Sequence, residues 1–345
     1  MTKITRLSDL GEVEIINLIG DLIYKKTKKS LIRDDTFFFD LFNKNITSES
    51  GQPTLVLNSD MLVSTTDVPP QMSFYQTGRK AVLMNISDLI VKGVQPQGII
   101  ISLGLLKDMD ILNFNELMAG IIDFCFKWNL DYIGGDLNET KELTINPTVF
   151  GFQNRSNIIY RNGLKQGDYL LANGKFGLTG VGFDILLNRK GDLASYPHYK
   201  RSILSVLEPK DLGREALFLS DNNYASTSID SSDGLTKSLM DLTFSNPNKN
   251  LGFEIDFNDE LFDKEALLYS QEFDVSLENL VFNGGEEFIH LFTINPKYYD
   301  STLKVIQAKG GQIYKIGKVI SSKKIYFLRD GKKIDLKKSG FEHFS

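Results

Sequence analysis

Six times along the chain an apolar segment ends in carboxylates set beside glycine, serine or asparagine. The six are Asp34-Asp35, Asn58-Ser59-Asp60, Asn85-Ile86-Ser87-Asp88, Gly134-Gly135-Asp136, Asp230-Ser231-Ser232-Asp233 and Gly284-Gly285-Glu286-Glu287. Taken singly, each reads as a helix cap or a turn. Six in one chain are hard to dismiss as caps alone.

The segments between them carry both periodicities. Residues 8–27, 76–92 and 113–128 have apolar spacing that predicts amphipathic helices, and Gly93 follows the second as a C-terminal cap. Residues 54–63, 98–106 and 169–173 are β-rich and apolar, and 131–152 reads as a strand pair entered through Gly134-Gly135-Asp136. In the second half, a helix is predicted near 212–219, a strand-to-helix junction at 226–242 and an apolar strand within 284–294. Strands and helices mixed in both halves predict an α/β or α+β chain with mixed sheets. The polar, turn-rich stretch from Arg161 to Asp168 suggests a boundary near residue 155, giving domains 1–155 and 156–345. The lysines at 323, 324, 332, 333, 337 and 338 read as the solvated face of a hairpin.

Composition narrows the chemistry. With 345 residues, 41% hydrophobic and 24% charged, the chain is an ordinary globular protein of two-domain size. A single cysteine, Cys125, and three scattered histidines leave no Cys/His zinc pattern. A net charge of −5 without a basic stripe argues against nucleic acid as a partner. The apolar run from Ile99 to Leu106 is far short of the roughly 18 residues of a spanning helix. No secretory pattern opens the chain, so a cytoplasmic protein without membrane partners is expected.

Carboxylates with hydroxyl and amide oxygens suit hard cations, Mg²⁺ above all, and Mg²⁺ commonly bridges to substrate phosphates. No P-loop is present. The run from Gly174 to Gly180 is either a strand-to-helix turn or a phosphate loop, and the residues alone leave that open.

Read together, the blocks resemble the thiamine-monophosphate kinases, in the superfamily of aminoimidazole-ribonucleotide synthetase and selenide water dikinase. The family pattern runs Gly-Asp-Asp, Thr-Asp-(Met/Thr)-Leu-Val, Asn-(Leu/Val)-Ser-Asp, Gly-Gly-Asp and Arg-x-Gly-x-x-x-Gly-Asp. It continues through Asp-Ile-Ser-Asp-Gly-Leu and Gly-Gly-Glu-Asp-Tyr-Glu-Leu-Leu-Phe-Thr to Gly-Trp-x-His-Phe. This chain carries a counterpart of each block, in order, from Asp34 to Phe344. The stretch Ser64-Thr65-Thr66-Asp67-Val68-Pro69-Pro70 resembles the archaeal branch.

The resemblance implies a two-domain PurM-like fold. Its N-terminal strands would build a barrel-like core with a second copy, and a nucleotide would lie in the cleft between the halves. It implies ATP-dependent phosphorylation of thiamine monophosphate with several Mg²⁺ ions, by a homodimer. Carried over position by position, it makes Asp35, Asn58, Ser59, Asp60, Asp88, Asp136, Asp230 and Asp233 metal-side residues. Gly135, Asp136, Arg161 and Ser232 become nucleotide-side residues, with Asp88, Asp136 and Arg161 nearest the chemistry. Asp67, Glu286 and Phe341 fall on the thiamine side.

Departures concentrate on that side. Asp67 stands where many members have histidine, Glu287-Phe288 replaces Asp-Tyr, and Phe341 replaces a tryptophan. Arg33 replaces the first glycine. Relatives acting on selenide or on carbamoyl groups need cysteines that this chain lacks at those places. A nucleotide or thiamine-diphosphate binder without turnover is the alternative of a different class. Nine of the 44 acids lie in the six motif blocks and Asp67 makes a tenth site acid, so the remaining 34 acids against 39 bases leave the rest of the chain at +5. The acidic excess is the candidate site itself.

Overall fold

The computed structural model describes residues 10, 12–30, 34–41, 53–211, 213–247 and 249–336. Within them the chain forms two mixed sheets. The first uses β1 (Phe37–Asp40), β2 (Pro53–Asn58), β3 (Leu62–Val63), β4 (Pro96–Leu106), β5 (Asp131–Gly134), β6 (Leu137–Thr140) and β7 (Thr144–Asn154). Its order is β1-β2-β7-β4-β5, with β3 added to β7 and β6 to β4. Helices α1 (Glu12–Thr27), α2 (Ser64–Asp67), α3 (Phe74–Val91) and α4 (Ile111–Lys127) accompany it.

The second sheet runs β14-β13-β10-β12-β8-β11-β9. Its strands are β8 (Tyr169–Ala172), β9 (Ala225–Ser231), β10 (Gly252–Asp256), β11 (Ile289–Ile294), β12 (Tyr314–Ile320), β13 (Ile325–Arg329) and β14 (Lys332–Asp335). Between them lie α5 (Leu178–Phe183), α6 (Lys200–Leu207), α7 (Glu215–Asp221), α8 (Leu235–Phe244), α9 (Lys264–Phe273), α10 (Leu277–Asn283) and α11 (Tyr299–Ala308). The lysine-rich hairpin is β13–β14, with Lys332 and Lys333 exposed.

Helix α3 positions the site. Ser73 caps its first turn by accepting from the Gln76 N–H, and the Gln76 side-chain oxygen accepts in turn from the Ser73 N–H. Gly93 turns the chain out at φ +74°, a conformation that favours glycine. Nearly every residue between is buried, because α3 packs against α4, on β2 and β7 of the first sheet and on β9 of the second. Polar groups placed there must find partners inside the protein.

Register decides which face of the first sheet α3 covers. Phe39 pairs with Leu55 and Leu55 with Phe152, so these three side chains share a face with Phe37 and Ile100. The opposite face carries Val56, Val149, Ile99 and Ile101, all buried. Among the described residues the first face has no such cover: Phe37, Phe39, Ile100 and Phe152 are exposed.

Two expectations are refined. The strand expected over 54–63 is two strands, β2 and β3. Asn85 on α3 takes both backbone groups of Asp60, accepting from its N–H at 2.8 Å and donating to its carbonyl at 2.9 Å. Asp60 therefore cannot continue the ladder. The expected strand pair over 131–152 is three strands, β5 to β7.

Candidate active site

Carboxylates from three separate elements meet beside α3. Asp35 precedes β1, Asp88 lies on α3 and Asp230 on β9. Each brings one oxygen within 4.8 Å of the other two, and all three residues are buried. Ser87 Oγ donates to Asp230 at 3.0 Å, and Asn58 Nδ2 donates to Asp88 and, at 3.4 Å, to Asp60. Ser59 Oγ is spent on the Pro147 carbonyl at 3.0 Å.

Two cations flank the group. Lys92 is wholly buried; its Nζ lies 2.7 Å from Asp34 Oδ1, pairs with Asp35 Oδ2 and donates to the Ser228 carbonyl at 2.8 Å. Arg161 takes the other oxygen of Asp35, through Nε at 2.9 Å and through Nη2. The cations hold only one end of the cluster.

The charge distribution is therefore uneven. Burial pushes the Asp35 carboxyl up, but Arg161 and Lys92 outweigh it and hold the group below the usual carboxylate range. Burial, with Asp230, Asp60 and Asp35 nearby, pushes Asp88 well above that range. Asp230 is raised to about 7, first by burial and then by Asp35. Beneath them His290 is fully buried, with Nε2 3.2 Å from Ser87 Oγ, and burial pushes it down to about 3, so it is neutral. A cluster that gathers hard oxygen donors and undercompensates their charge fits a hard divalent cation.

Asp136, Asp233 and Asp60 stand outside the close trio. Asp136 is exposed at the β5–β6 connection. Its neighbour Gly135 lies so near β4 that a Cβ would sit 1.7 Å from the Ile101 carbonyl oxygen, which is reason enough for glycine there. Asp233, in the turn after β9, pairs with Lys237 at 2.7 Å, and Lys237 reaches Glu12 of α1 at 3.4 Å. The Ser232 carbonyl accepts from the Glu286 N–H, which pins the β11 approach loop to the β9 turn.

The AIR synthase related protein N-terminal domain family matches residues 43–153. The thiamine-monophosphate kinase of Nitrosopumilus maritimus is 32% identical over 98% of this chain and 100% of its own length. The chain belongs to the thiamine-monophosphate kinase family. The family's enzyme from Pyrococcus horikoshii is 31% identical over 84% of this chain and 86% of its own. A solved structure described as AaThiL complexed with AMPPCP and TMP matches the fold with a TM-score of 0.80, at 24% identity, over 99% of this chain and 100% of that one.

Within that family's pattern, the residues expected on the thiamine side fall in two places. Glu286 pairs with Lys80 of α3 at 2.6 Å, and Lys80 also donates to the Asp67 carbonyl at 2.5 Å. The Asp67 carboxylate closes its own turn by accepting from the Val63 N–H at 2.7 Å. Phe341 lies outside the described residues. Glu287 points the other way and accepts from the Gly177 N–H at 2.7 Å. Burial raises its carboxyl to about 7. The glycine-rich run is thus a strand-to-helix turn whose amides already hold a carboxyl.

Sequence reasoning missed Lys80, Lys92 and His290. No local pattern marked the lysines: Lys92 follows Asp88 by four residues, yet it pairs with Asp34 and Asp35, more than fifty residues away. His290 sits in the buried strand β11, mostly apolar, and gave no sign either.

Proposed function

We propose that this chain transfers the γ-phosphoryl group of ATP to the phosphate of thiamine monophosphate, giving thiamine diphosphate and ADP. The observation that carries the reading is the convergence of Asp35, Asp88 and Asp230, three of the family's acidic positions, within 4.8 Å. The bond from the γ-phosphorus to the β,γ-bridging oxygen breaks, and one forms to an acceptor phosphate oxygen. That oxygen is already anionic, since a phosphate monoester loses its second proton near pH ~6. No general base is needed, which agrees with a site whose nearest histidine is buried and neutral.

Asp35, Asp88 and Asp230 would hold Mg²⁺, with Asp60, Asp136 and Asp233 as the further metal-side carboxylates and Asp136 also beside the nucleotide. Bound there, Mg²⁺ supplies charge neutralisation for two approaching phosphates. Asn58 and Ser87 hold the carboxylates in place by donating to Asp88 and Asp230. Arg161, whose guanidinium fork suits phosphate oxygens, is the more exposed of the two cations that hold Asp35. Gly135 and Ser232 shape the nucleotide side through backbone, and Asp67 and Glu286, joined by Lys80, shape the acceptor side.

We take 155/156 as the domain boundary, because the first sheet ends at Asn154 and the second begins at Tyr169. We also propose a homodimer, with the uncovered aromatic face of β1, β2 and β7 as the surface that a second copy would close into a barrel. A cytoplasmic site of action accords with a lone free cysteine and with the absence, among the described residues, of a helix able to cross a membrane.

The test is a coupled assay of ADP release with ATP and Mg²⁺, with and without thiamine monophosphate, and chromatography of the product. Thiamine diphosphate formed in step with ADP is expected. Nucleotide binding without acceptor-dependent ADP release would instead show a binding protein.

A further inference from the structure

The paired aspartates Asp34 and Asp35 are held by two cations of different character. Asp34 is fully engaged within the protein: Oδ1 faces Lys92 and accepts from the Asp35 N–H at 2.9 Å, and Oδ2 accepts from the Arg161 N–H at 2.9 Å. Asp35 faces Lys92 with one oxygen and the Arg161 side chain with the other. An ammonium has three donors, and Lys92 places them on Asp34, Asp35 and the Ser228 carbonyl. Its side chain is 0% exposed, whereas that of Arg161 is 19% exposed and attached to the linker between β7 and β8.

We propose that Lys92 is the permanent internal cation of this carboxylate pair and Arg161 the exchangeable one. Arg161 leaves Asp35 Oδ1 for the nucleotide's phosphates and thereby frees that oxygen for a divalent cation. Lys92 stays and does the work that a further metal ion would otherwise do between Asp34 and Asp35. Lys92 is thus a positioning residue, acting through Asp35. The inference deepens the function proposed above and rests on its metal reading. It also explains why the second aspartate of the pair is the one able to serve a metal: Asp34 has no exchangeable partner.

Two variants test the two halves. Lys92→Met is compared with the wild-type chain by counting Mn²⁺ bound in equilibrium dialysis, with a non-hydrolysable ATP analogue present, and by melting temperature with and without Mn²⁺. Lys92→Met is expected to bind one more Mn²⁺ per chain and to gain more in melting temperature from Mn²⁺ than wild type. An unchanged ion count with an equal gain overturns the internal-cation role. If Lys92→Met does not fold in Mn²⁺-free buffer, refolding on Mn²⁺ addition supports the proposal, and failure to refold overturns it. Arg161→Gln is titrated with Mn²⁺ without nucleotide. Its affinity is expected to rise about tenfold over wild type, the scale of releasing one charge-assisted contact. Unchanged or weaker affinity overturns the exchange. A wild-type chain that binds no Mn²⁺ even with the nucleotide analogue defeats the metal reading itself, a failure distinct from both.

Discussion

Ser87 on α3 and Asp230 on β9, 143 residues apart in the chain, are joined by a hydrogen bond of 3.0 Å from Ser87 Oγ to Asp230 Oδ2. One residue on, Asp88 contributes its own oxygen to the same cluster. The bond ties the helix of the first sheet to a strand of the second, so the acidic group exists only when the two sheets are packed together.

Asp88→Asn separates function from stability. The native carboxyl is buried against like charges, so an amide of the same shape relieves repulsion in the metal-free protein. Its metal-free melting temperature is expected to equal or exceed that of wild type. Turnover of thiamine monophosphate at limiting Mg²⁺ is expected to fall by about a hundredfold or more. A variant with near-native turnover would remove Asp88 from the metal site.

Metal-free stability should fall as pH rises from about 5 to about 7. Asp230 and Glu287 are raised to about 7 and Asp88 is raised as well, so the folded chain keeps protons that the unfolded chain has released. The stability they contribute is present at low pH and lost as pH climbs through their folded values. His290 opposes them. Pushed down to about 3, it costs stability as pH drops below the ordinary histidine value near ~6.5. Three acids outweigh one histidine. Thermal melts in chelator across this range should show a declining midpoint, flattened by Mg²⁺; a midpoint that rises with pH without metal would contradict the assignment.

Gly135→Ala distinguishes a structural glycine from a nucleotide contact. A Cβ would press into the Ile101 carbonyl oxygen at 1.7 Å, and backbone there cannot retreat without breaking the β4 pairing. Destabilisation of about 3 kcal/mol is expected in urea unfolding, with or without nucleotide. Native stability with weaker ATP binding would favour the ligand role instead.

Phe39→Glu addresses assembly. Phe39 is 55% exposed on the aromatic face that also bears Phe37 and Phe152. A charge there should leave monomer folding intact, since the opposite face carries the core, and should convert the chain to monomer in sedimentation equilibrium. A wild-type chain that sediments as a monomer would remove this face as a dimer surface.

Much of the site was legible in the chain because its residues are local signals. Asp88 follows a helical apolar stripe, Asp230 ends a strand, and Asp34-Asp35 precede one, so each could be placed on an element from spacing alone. The roles of Lys80 and Lys92 were not legible in the same way. A lysine at helical spacing is ordinarily a solvated side chain; Glu286 beside β11 makes Lys80 a buried partner, and Asp34, Asp35 and the Ser228 carbonyl of β9 together enclose Lys92. The broken strand at Asp60 has the same origin, since Asn85, which takes its backbone groups, is 25 residues away.

The sequence by itself determined the order of the elements, their mixed character and which acids stand at their ends, because periodicity and turn chemistry act over a few residues. Tertiary structure alone decided which of those acids meet. Asp35, Asp88 and Asp230 converge while Asp136 and Asp233 stand apart, and Asp34 is consumed by Lys92 and the Arg161 backbone. Charge pairing at a few ångströms depends on how two sheets pack around one helix, and no local pattern encodes that distance.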